Sequence, residues 1–115
     1  MKLSIYQCNN VDVIKLHGCA DATNIADLYE LIDKYKDKSV IAFDLSDVEY
    51  LNTFVLTALT KTYKKHRILI FTSDVVIFNI LYIVNLTKVI DTTSSLYEFE
   101  ELCKNCQNKK DLVNS

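Results

Sequence analysis

The 115-residue chain contains no proline and a single glycine. Its turns must therefore be made by asparagine, aspartate, serine and threonine, whose short side chains hydrogen-bond to the nearby backbone. A loop that cradles phosphates needs several glycines, so nucleotide hydrolysis and dinucleotide binding by their usual motifs are excluded. The chain also lacks an excess of positive charge, since 13 basic residues stand against 15 acidic ones. A dedicated nucleic-acid binder needs a basic face, so we expect no nucleic-acid partner.

A hydrophobic run suited to a membrane span is missing as well. The candidate segment is residues 68–86, but Asp74 lies near its middle, where a charge is costly in lipid. We interpret this segment as a buried strand, a turn and a helix, and we expect no direct membrane insertion. The first ten residues lack an apolar stretch of the length found in secretory signals, so a cytoplasmic location is expected.

Two of the four cysteines, Cys103 and Cys106, form a CxxC motif. A redox CxxC normally follows a strand and opens a helix, which lowers the thiol pKa, whereas this one follows an amphipathic stretch near the C-terminus. A single CxxC also supplies only two of the four ligands of a structural zinc site. We predict free thiols, no metal and no cofactor. A redox enzyme that uses this motif is a minor alternative.

Recognisable catalytic spacings are absent too. Neither His17 nor His66 has a sequence spacing typical of a metal site or of a catalytic triad. We therefore expect a protein that binds a partner rather than an enzyme.

Apolar runs and helical periodicities alternate along the chain. The predicted elements are strands at residues 2–6 and 11–16, a helix at 24–35, a strand at 39–45, a helix at 53–65, a strand at 68–71, a helix opened by Ser73 or Asp74, a strand at 89–90 and a helix at 95–104. The predicted inner face of the helix at 53–65 comprises Leu56, Leu59, Thr60 and Tyr63. This alternation predicts an α/β fold with a mixed, mostly parallel sheet of four to five strands and about four helices. We assign one domain to residues 1–106 and a flexible tail to residues 107–115.

Polar side chains gather at one edge of the predicted sheet, where α/β proteins place their ligands. They are Asp21, Asp44, Asp47, Asn52 and Thr53. The aspartates at positions 44 and 47 either form a turn or face a ligand. Thr53 is predicted to begin a helix, where its hydroxyl either caps backbone N–H groups or accepts a phosphate that the helix dipole stabilises.

The segments around these loops resemble those of the STAS family (sulfate transporter and anti-sigma factor antagonist). Residues 16–21 (LHGCAD) match its pattern of an apolar strand end, glycine, two residues and aspartate. Residues 39–51 (SVIAFDLSDVEYL) resemble its central strand with Asp-Leu-Ser. Residues 52–56 (NTFVL) stand where the family has Asp-Ser-Ser-Gly-Leu, and residues 91–102 resemble its last turn and helix. The resemblance implies a STAS-like fold.

The resemblance also implies a non-catalytic regulator. Anti-sigma factor antagonists of this family bind a kinase-type anti-sigma factor, and that kinase inactivates them by phosphorylating the serine of the motif. Thr53 falls on this phosphoacceptor, and the implied partner is an anti-sigma factor or switch-type kinase. The expected partner-binding residues are Asp21, Asp44, Ser46, Asn52, Phe54 and Val55. Because Phe54 and Val55 replace small residues of the family motif, we expect them to form a small exposed apolar patch.

A second interpretation keeps the fold and changes the partner. Some lone STAS domains are subunits of phospholipid-transport ABC complexes and carry a threonine-containing helix start. In that case the chain binds a transporter ATPase, and Thr53 serves as a helix cap. Co-purification with an ATPase rather than with a kinase separates the two interpretations.

Overall fold

The computed structural model describes residues 1–114, and the side chains of residues 1–106. Strands and helices alternate along this part of the chain. The strands are Lys2–Cys8 (β1), Val11–Gly18 (β2), Val40–Val48 (β3), Arg67–Phe71 (β4) and Asp91–Thr93 (β5). The α-helices are Ile25–Asp33 (α1), Thr53–Tyr63 (α2), Val75–Ile83 (α3) and Leu96–Asn114 (α4), and a short 3-10 helix at Leu86–Lys88 precedes β5.

The strands form one sheet in the order β1-β2-β3-β4-β5. β1 is antiparallel to β2, and every later pair is parallel, so the predicted mostly parallel α/β sheet is confirmed. Asn9 and Asn10 make the β1–β2 hairpin turn with φ angles of 48° and 69°. Asparagine tolerates this left-handed region better than most residues, which is how the chain builds a tight hairpin without glycine there.

Each face of the sheet carries its own hydrophobic core. Phe43 and Ile70 point to the face covered by α1, α2 and α3. Their neighbours along the strands, such as Ala42, point to the other face, which α4 covers. Phe99 of α4 stacks on Phe71 of β4 with ring centroids 5.4 Å apart. Because both faces are covered, the central strands read as continuous apolar runs in the sequence.

Most element bounds differ from the predictions by one to three residues, and the larger differences lie in the last strand and the last helix. The last strand is Asp91–Thr93 rather than residues 89–90, because residues 91–93 are the ones that pair with β4. Helix α4 extends to Asn114, past residue 104, where the sequence placed its end. The predicted flexible tail, residues 107–115, lies outside the residues whose side chains the structure describes.

The segment 68–86 forms most of β4, a turn and helix α3, as interpreted from the sequence. None of the helices in the described part of the chain combines the length and the apolar character that crossing a membrane requires.

Candidate functional site

The carboxyl ends of β2, β3 and β4 meet at one edge of the sheet, which we call the carboxyl edge (residues 18–24, 46–54 and 72–74). Its three loops are tied together by hydrogen bonds. Asn52 Nδ2 donates to the carbonyl oxygen of Ala20 at 2.7 Å. The amide of Ser73 donates to Ser46 Oγ at 2.9 Å. The loops therefore present a single, fixed surface.

Asp21 organises the loop that leads into α1. Its Oδ1 accepts hydrogen bonds from the Thr23 amide at 2.8 Å, from Thr23 Oγ1 at 2.6 Å and from the Asn24 amide at 3.0 Å. These bonds, the one from the Thr23 hydroxyl most of all, lower the pKa of the Asp21 carboxyl. The side chain is exposed, so it is a charged group on the surface of the carboxyl edge.

Asn52 is the N-cap of α2. Its Oδ1 accepts from the amide of Val55 at 3.3 Å, while its Nδ2 donates to Ala20 and lies 3.7 Å from Cys19 Sγ. The side chain must therefore accept on one side and donate on the other. A carboxylate has no donor, so an aspartate at this position would face the Ala20 carbonyl oxygen without a hydrogen bond. This geometry explains why asparagine stands here.

Thr53 is the first residue of α2, and its side chain is exposed. Because Asn52 takes the capping role, the interpretation of Thr53 as the cap is wrong. Across residues 1–106 the Thr53 hydroxyl has no hydrogen-bond partner, and the amides of Thr53 and Phe54 have no acceptor. The first turn of α2 carries no acidic residue. The helix thus begins with an exposed hydroxyl, two unused N–H donors and the positive end of its dipole.

Val55 does not belong to the exposed surface. It is only 1% exposed and packs in the core beneath α2, whereas Phe54 is 39% exposed. The buried face of α2 comprises Val55, Ala58, Leu59 and Thr62. This face is rotated by about one residue from the predicted one, and its apolar members lie in the core between α2 and the sheet. The predicted apolar patch is therefore corrected to Phe54 alone.

Asp44 is also withdrawn from the surface. It is 4% exposed and accepts a hydrogen bond from the Tyr6 hydroxyl at 2.7 Å and another from the Ser46 amide at 2.9 Å. Burial, followed by this hydrogen bond, raises the pKa of Tyr6 well above its ordinary value. The predicted partner contact of Asp44 is corrected accordingly, because its carboxylate is used inside the fold. Ser46 is half-buried and remains a predicted contact residue.

A chain of polar side chains, which was not predicted from the sequence, runs across β1, β2 and β3. Ser4 Oγ lies 2.9 Å from His17 Nε2, and His17 Nδ1 lies 3.1 Å from Asp47 Oδ2. Lys15 Nζ lies 3.3 Å from the same oxygen, because an irregularity in the β2–β3 register brings both β2 side chains to Asp47. The period of two that places positions 15 and 17 on one face was the available signal. Through His17 and Asp47 these contacts link the edge strand β1 to β3 at the surface of the sheet.

The CxxC cysteines lie beneath α4 and not at a helix N-terminus. Cys103 and Cys106 are buried against the sheet beside Cys8, and burial is the main cause that raises the pKa of Cys103 to about 12. Among the side chains that the structure describes, no group of histidine, cysteine, aspartate and glutamate is placed to hold a metal ion.

A known protein family matches most of this chain. A model of the STAS domain matches residues 2–98. The chain belongs to the STAS domain family. No curated protein sequence matches this STAS domain.

Solved structures agree with this assignment at the level of the fold. An anti-sigma factor antagonist from Mycobacterium paratuberculosis is 19% identical, with a TM-score of 0.78 over 90% of this STAS domain and 93% of that chain. RsbS from Moorella thermoacetica, solved as a serine-to-glutamate variant, is 16% identical, with a TM-score of 0.68 over 94% of this STAS domain and 99% of that chain. The Bacillus cell fate determinant SpoIIAA in its phosphorylated form is 8% identical, with a TM-score of 0.64 over 88% of this STAS domain and 99% of that chain.

Proposed function

We propose that this STAS domain is a non-catalytic regulatory binding domain that acts as an anti-sigma factor antagonist. It engages a switch-kinase anti-sigma factor in the cytoplasm through the carboxyl edge, and phosphorylation of Thr53 controls that engagement. The observation that carries the proposal is the exposed Thr53 hydroxyl at the start of α2, which Asn52 releases from capping.

A phosphate fits this position electrostatically. The unused amides of Thr53 and Phe54 supply donors, the helix dipole favours negative charge, and the first turn contributes no competing carboxylate. The fold neighbours support the idea, since one is a phosphorylated SpoIIAA and another carries glutamate in place of serine.

Phosphorylation would change the character of the proposed contact surface. A phosphate brings a charge of about −1.5 to −2 at neutral pH. It would lie next in sequence to Phe54, the exposed apolar side chain that is suited to burial against a partner. It would also add to the exposed negative charge of Asp21 on the same edge. A partner that packs against Phe54 would have to desolvate the phosphate, so we expect about tenfold weaker binding or more.

The test begins with an affinity pull-down from the source organism's lysate, followed by mass spectrometry of the partners and of the Thr53 peptide. The recovered kinase is then incubated with the purified domain and ATP. Thr57 is an exposed threonine on the same helix and serves as the matched control. We expect phosphate on Thr53 alone, at least about tenfold weaker binding for Thr53→Glu, and a clearly smaller loss for Thr57→Glu, which lies one turn farther along the helix. Unchanged binding of Thr53→Glu would end the phosphorylation switch.

The second candidate, a STAS subunit that binds the ATPase of a phospholipid-transport ABC complex, is favoured by the surface of α3. Val75, Val76, Tyr82 and Ile83 are exposed there, and residues 75–87 include no charged side chain. Permanent interfaces are more apolar than transient ones. This candidate predicts that an ATPase co-purifies, that Thr53→Glu leaves the complex intact and that Ile83→Asp disrupts it.

A further inference from the structure

Helices α1 and α2 form a groove at their C-terminal ends, opposite the carboxyl edge. The groove has a volume of about 440 Å³, and its floor contains the buried side chains of Ile32 and Thr62 and the ring of Tyr29. Four lysines line it. They are Lys36, Lys61, Lys64 and Lys65. We call this feature the lysine groove.

The positive charge of the lysine groove is not balanced from within. Asp33 is the one acidic side chain that lines it, against four lysines, although the whole chain carries a net charge of −2. Within residues 1–106 none of the four lysines forms an ion pair with a carboxylate. The ammonium group of Lys61 instead lies over the Tyr29 ring, 5.5 Å from its centroid. The groove therefore attracts anions.

Helix dipoles account for part of this arrangement only. A cation in the last turn of a helix is stabilised by the negative end of the dipole, and Lys61 occupies that place in α2. Lys36 and Lys65 lie beyond the ends of their helices, where this effect fades. The dipole also gives no reason for an apolar floor beneath a charged rim. An apolar floor with a basic rim is complementary to a segment that carries both acidic and apolar side chains.

We infer that the lysine groove binds an acidic, partly apolar segment of the partner that contacts the carboxyl edge, and this inference rests on the proposed function. The 11 residues of α2 span about 16 Å at 1.5 Å per residue. A typical protein interface covers about 800 Å² on each partner, so one partner reaches both ends of α2. Acidic side chains would meet the lysines, and an apolar side chain would lie on Tyr29 and Ile32.

The inference can be tested with a synthetic probe and amide NMR spectra of the ¹⁵N-labelled domain. The probe is an amphipathic helical peptide of about 16 residues with glutamate and leucine on its two faces. A control peptide replaces every glutamate with lysine. We expect the acidic peptide alone to shift the amide signals of Tyr29, Lys61, Thr62 and Lys65, and its affinity to fall steeply with added salt.

Charge variants locate the binding. The double variant Lys61→Glu/Lys65→Glu should weaken acidic-peptide binding by at least about tenfold, and the gentler Lys61→Gln/Lys65→Gln should weaken it less. Lys88→Glu/Lys104→Glu removes two exposed lysines outside the groove and should change the affinity by less than about twofold. Equal losses from both double variants, binding of both peptides alike, or no shift in the groove would overturn the inference.

Two further outcomes separate competing explanations. Tighter binding of single-stranded DNA, or of phosphatidylcholine vesicles that contain phosphatidylglycerol, would overturn the inference by assigning the groove to another class of ligand. The Thr53→Glu variant should bind the acidic peptide normally. If the peptide fails to bind while kinase capture still depends on Thr53, only the groove inference is wrong. If the peptide binds while kinase capture ignores Thr53, only the phosphorylation switch is wrong.

Discussion

Thr53→Glu should stabilise the isolated domain even as it weakens partner binding. The substitution places a carboxylate at the first position of α2, where two amides are unused and no acidic residue is present. Since the Thr53 hydroxyl makes no hydrogen bond among the described residues, its removal breaks no hydrogen bond there. A negative charge at this end of the helix interacts favourably with the dipole.

The size of the effect follows from two contributions. A charge in the first turn of a surface helix contributes about 0.3–1 kcal/mol at low ionic strength. Glutamate also has a helix propensity a few tenths of a kcal/mol better than that of threonine, on the order of 0.3 kcal/mol. Together they predict a gain of roughly 0.6–1.3 kcal/mol, which for a domain of this size raises Tm by about 2–5 °C. Thr53→Gln is the control, because it keeps the propensity gain of about 0.3 kcal/mol without adding a charge.

The assay is thermal and urea unfolding of the wild-type, Thr53→Glu and Thr53→Gln domains, followed by circular dichroism. The dipole contribution should shrink at about 1 M salt, where the screening length is roughly 3 Å, and should vanish at low pH as the new carboxylate protonates. A Thr53→Glu domain that is less stable than wild type would refute the reasoning. So would an equal gain from Thr53→Gln, because the start of α2 would then have no special affinity for an anion.

Three further predictions test other parts of the site. Asn52→Asp, which restores the residue of the family motif, should lower the free energy of unfolding by about 1–2 kcal/mol in urea titrations, because the donor to Ala20 is lost; an unchanged value would contradict this role. Cys103, whose pKa is raised to about 12, should resist iodoacetamide at about pH 8 while the half-buried Cys19 reacts, and rapid alkylation of Cys103 would instead favour the redox alternative. The pKa of Asp21 is lowered on folding, so the stability that its carboxylate contributes is present above the ordinary value of 3.8 and is lost as the pH falls through the lowered value. Asp21→Asn should therefore reduce the loss of unfolding free energy at acid pH. An unchanged loss would contradict the structural role of this carboxylate.

The order and type of most elements could be predicted because the central strands are covered on both faces. Apolar runs at residues 40–43 and 68–71 stand out from the amphipathic helices between them. The strand at Asp91–Thr93 could not be found in this way. It is three residues long, contains no apolar side chain and is held by pairing with β4, which is a tertiary contact. The apolar pair just before it, Val89 and Ile90, led to the prediction of a strand at residues 89–90.

The same double coverage explains the error at Asp44. When a strand faces solvent on one side, alternation of polar and apolar residues tells which way each side chain points. Residues 41–45 of β3 are all buried, so the alternation is absent and the direction of Asp44 is not readable. For α2 the sequence allows two overlapping helix faces to be the buried one: a face that includes Leu56 and a face that includes Val55. The fold buries the face that includes Val55, and that choice depends on tertiary packing, which the sequence periodicity does not contain.

Of the four departures from the family motif at the start of α2, those at positions 52 and 55 are consistent with one another. Asparagine at position 52 caps the helix and holds the loop at Ala20, and it does so without charge. Valine at position 55 anchors the same turn in the core. The turn is thereby fixed from both sides, and Thr53 and Phe54 alone project from it. In a domain with aspartate at the cap, a phosphate on the next residue would meet a like charge. Here the incoming phosphate would be the sole negative charge in the first turn of α2, so the difference between the two states of the proposed switch rests on Thr53.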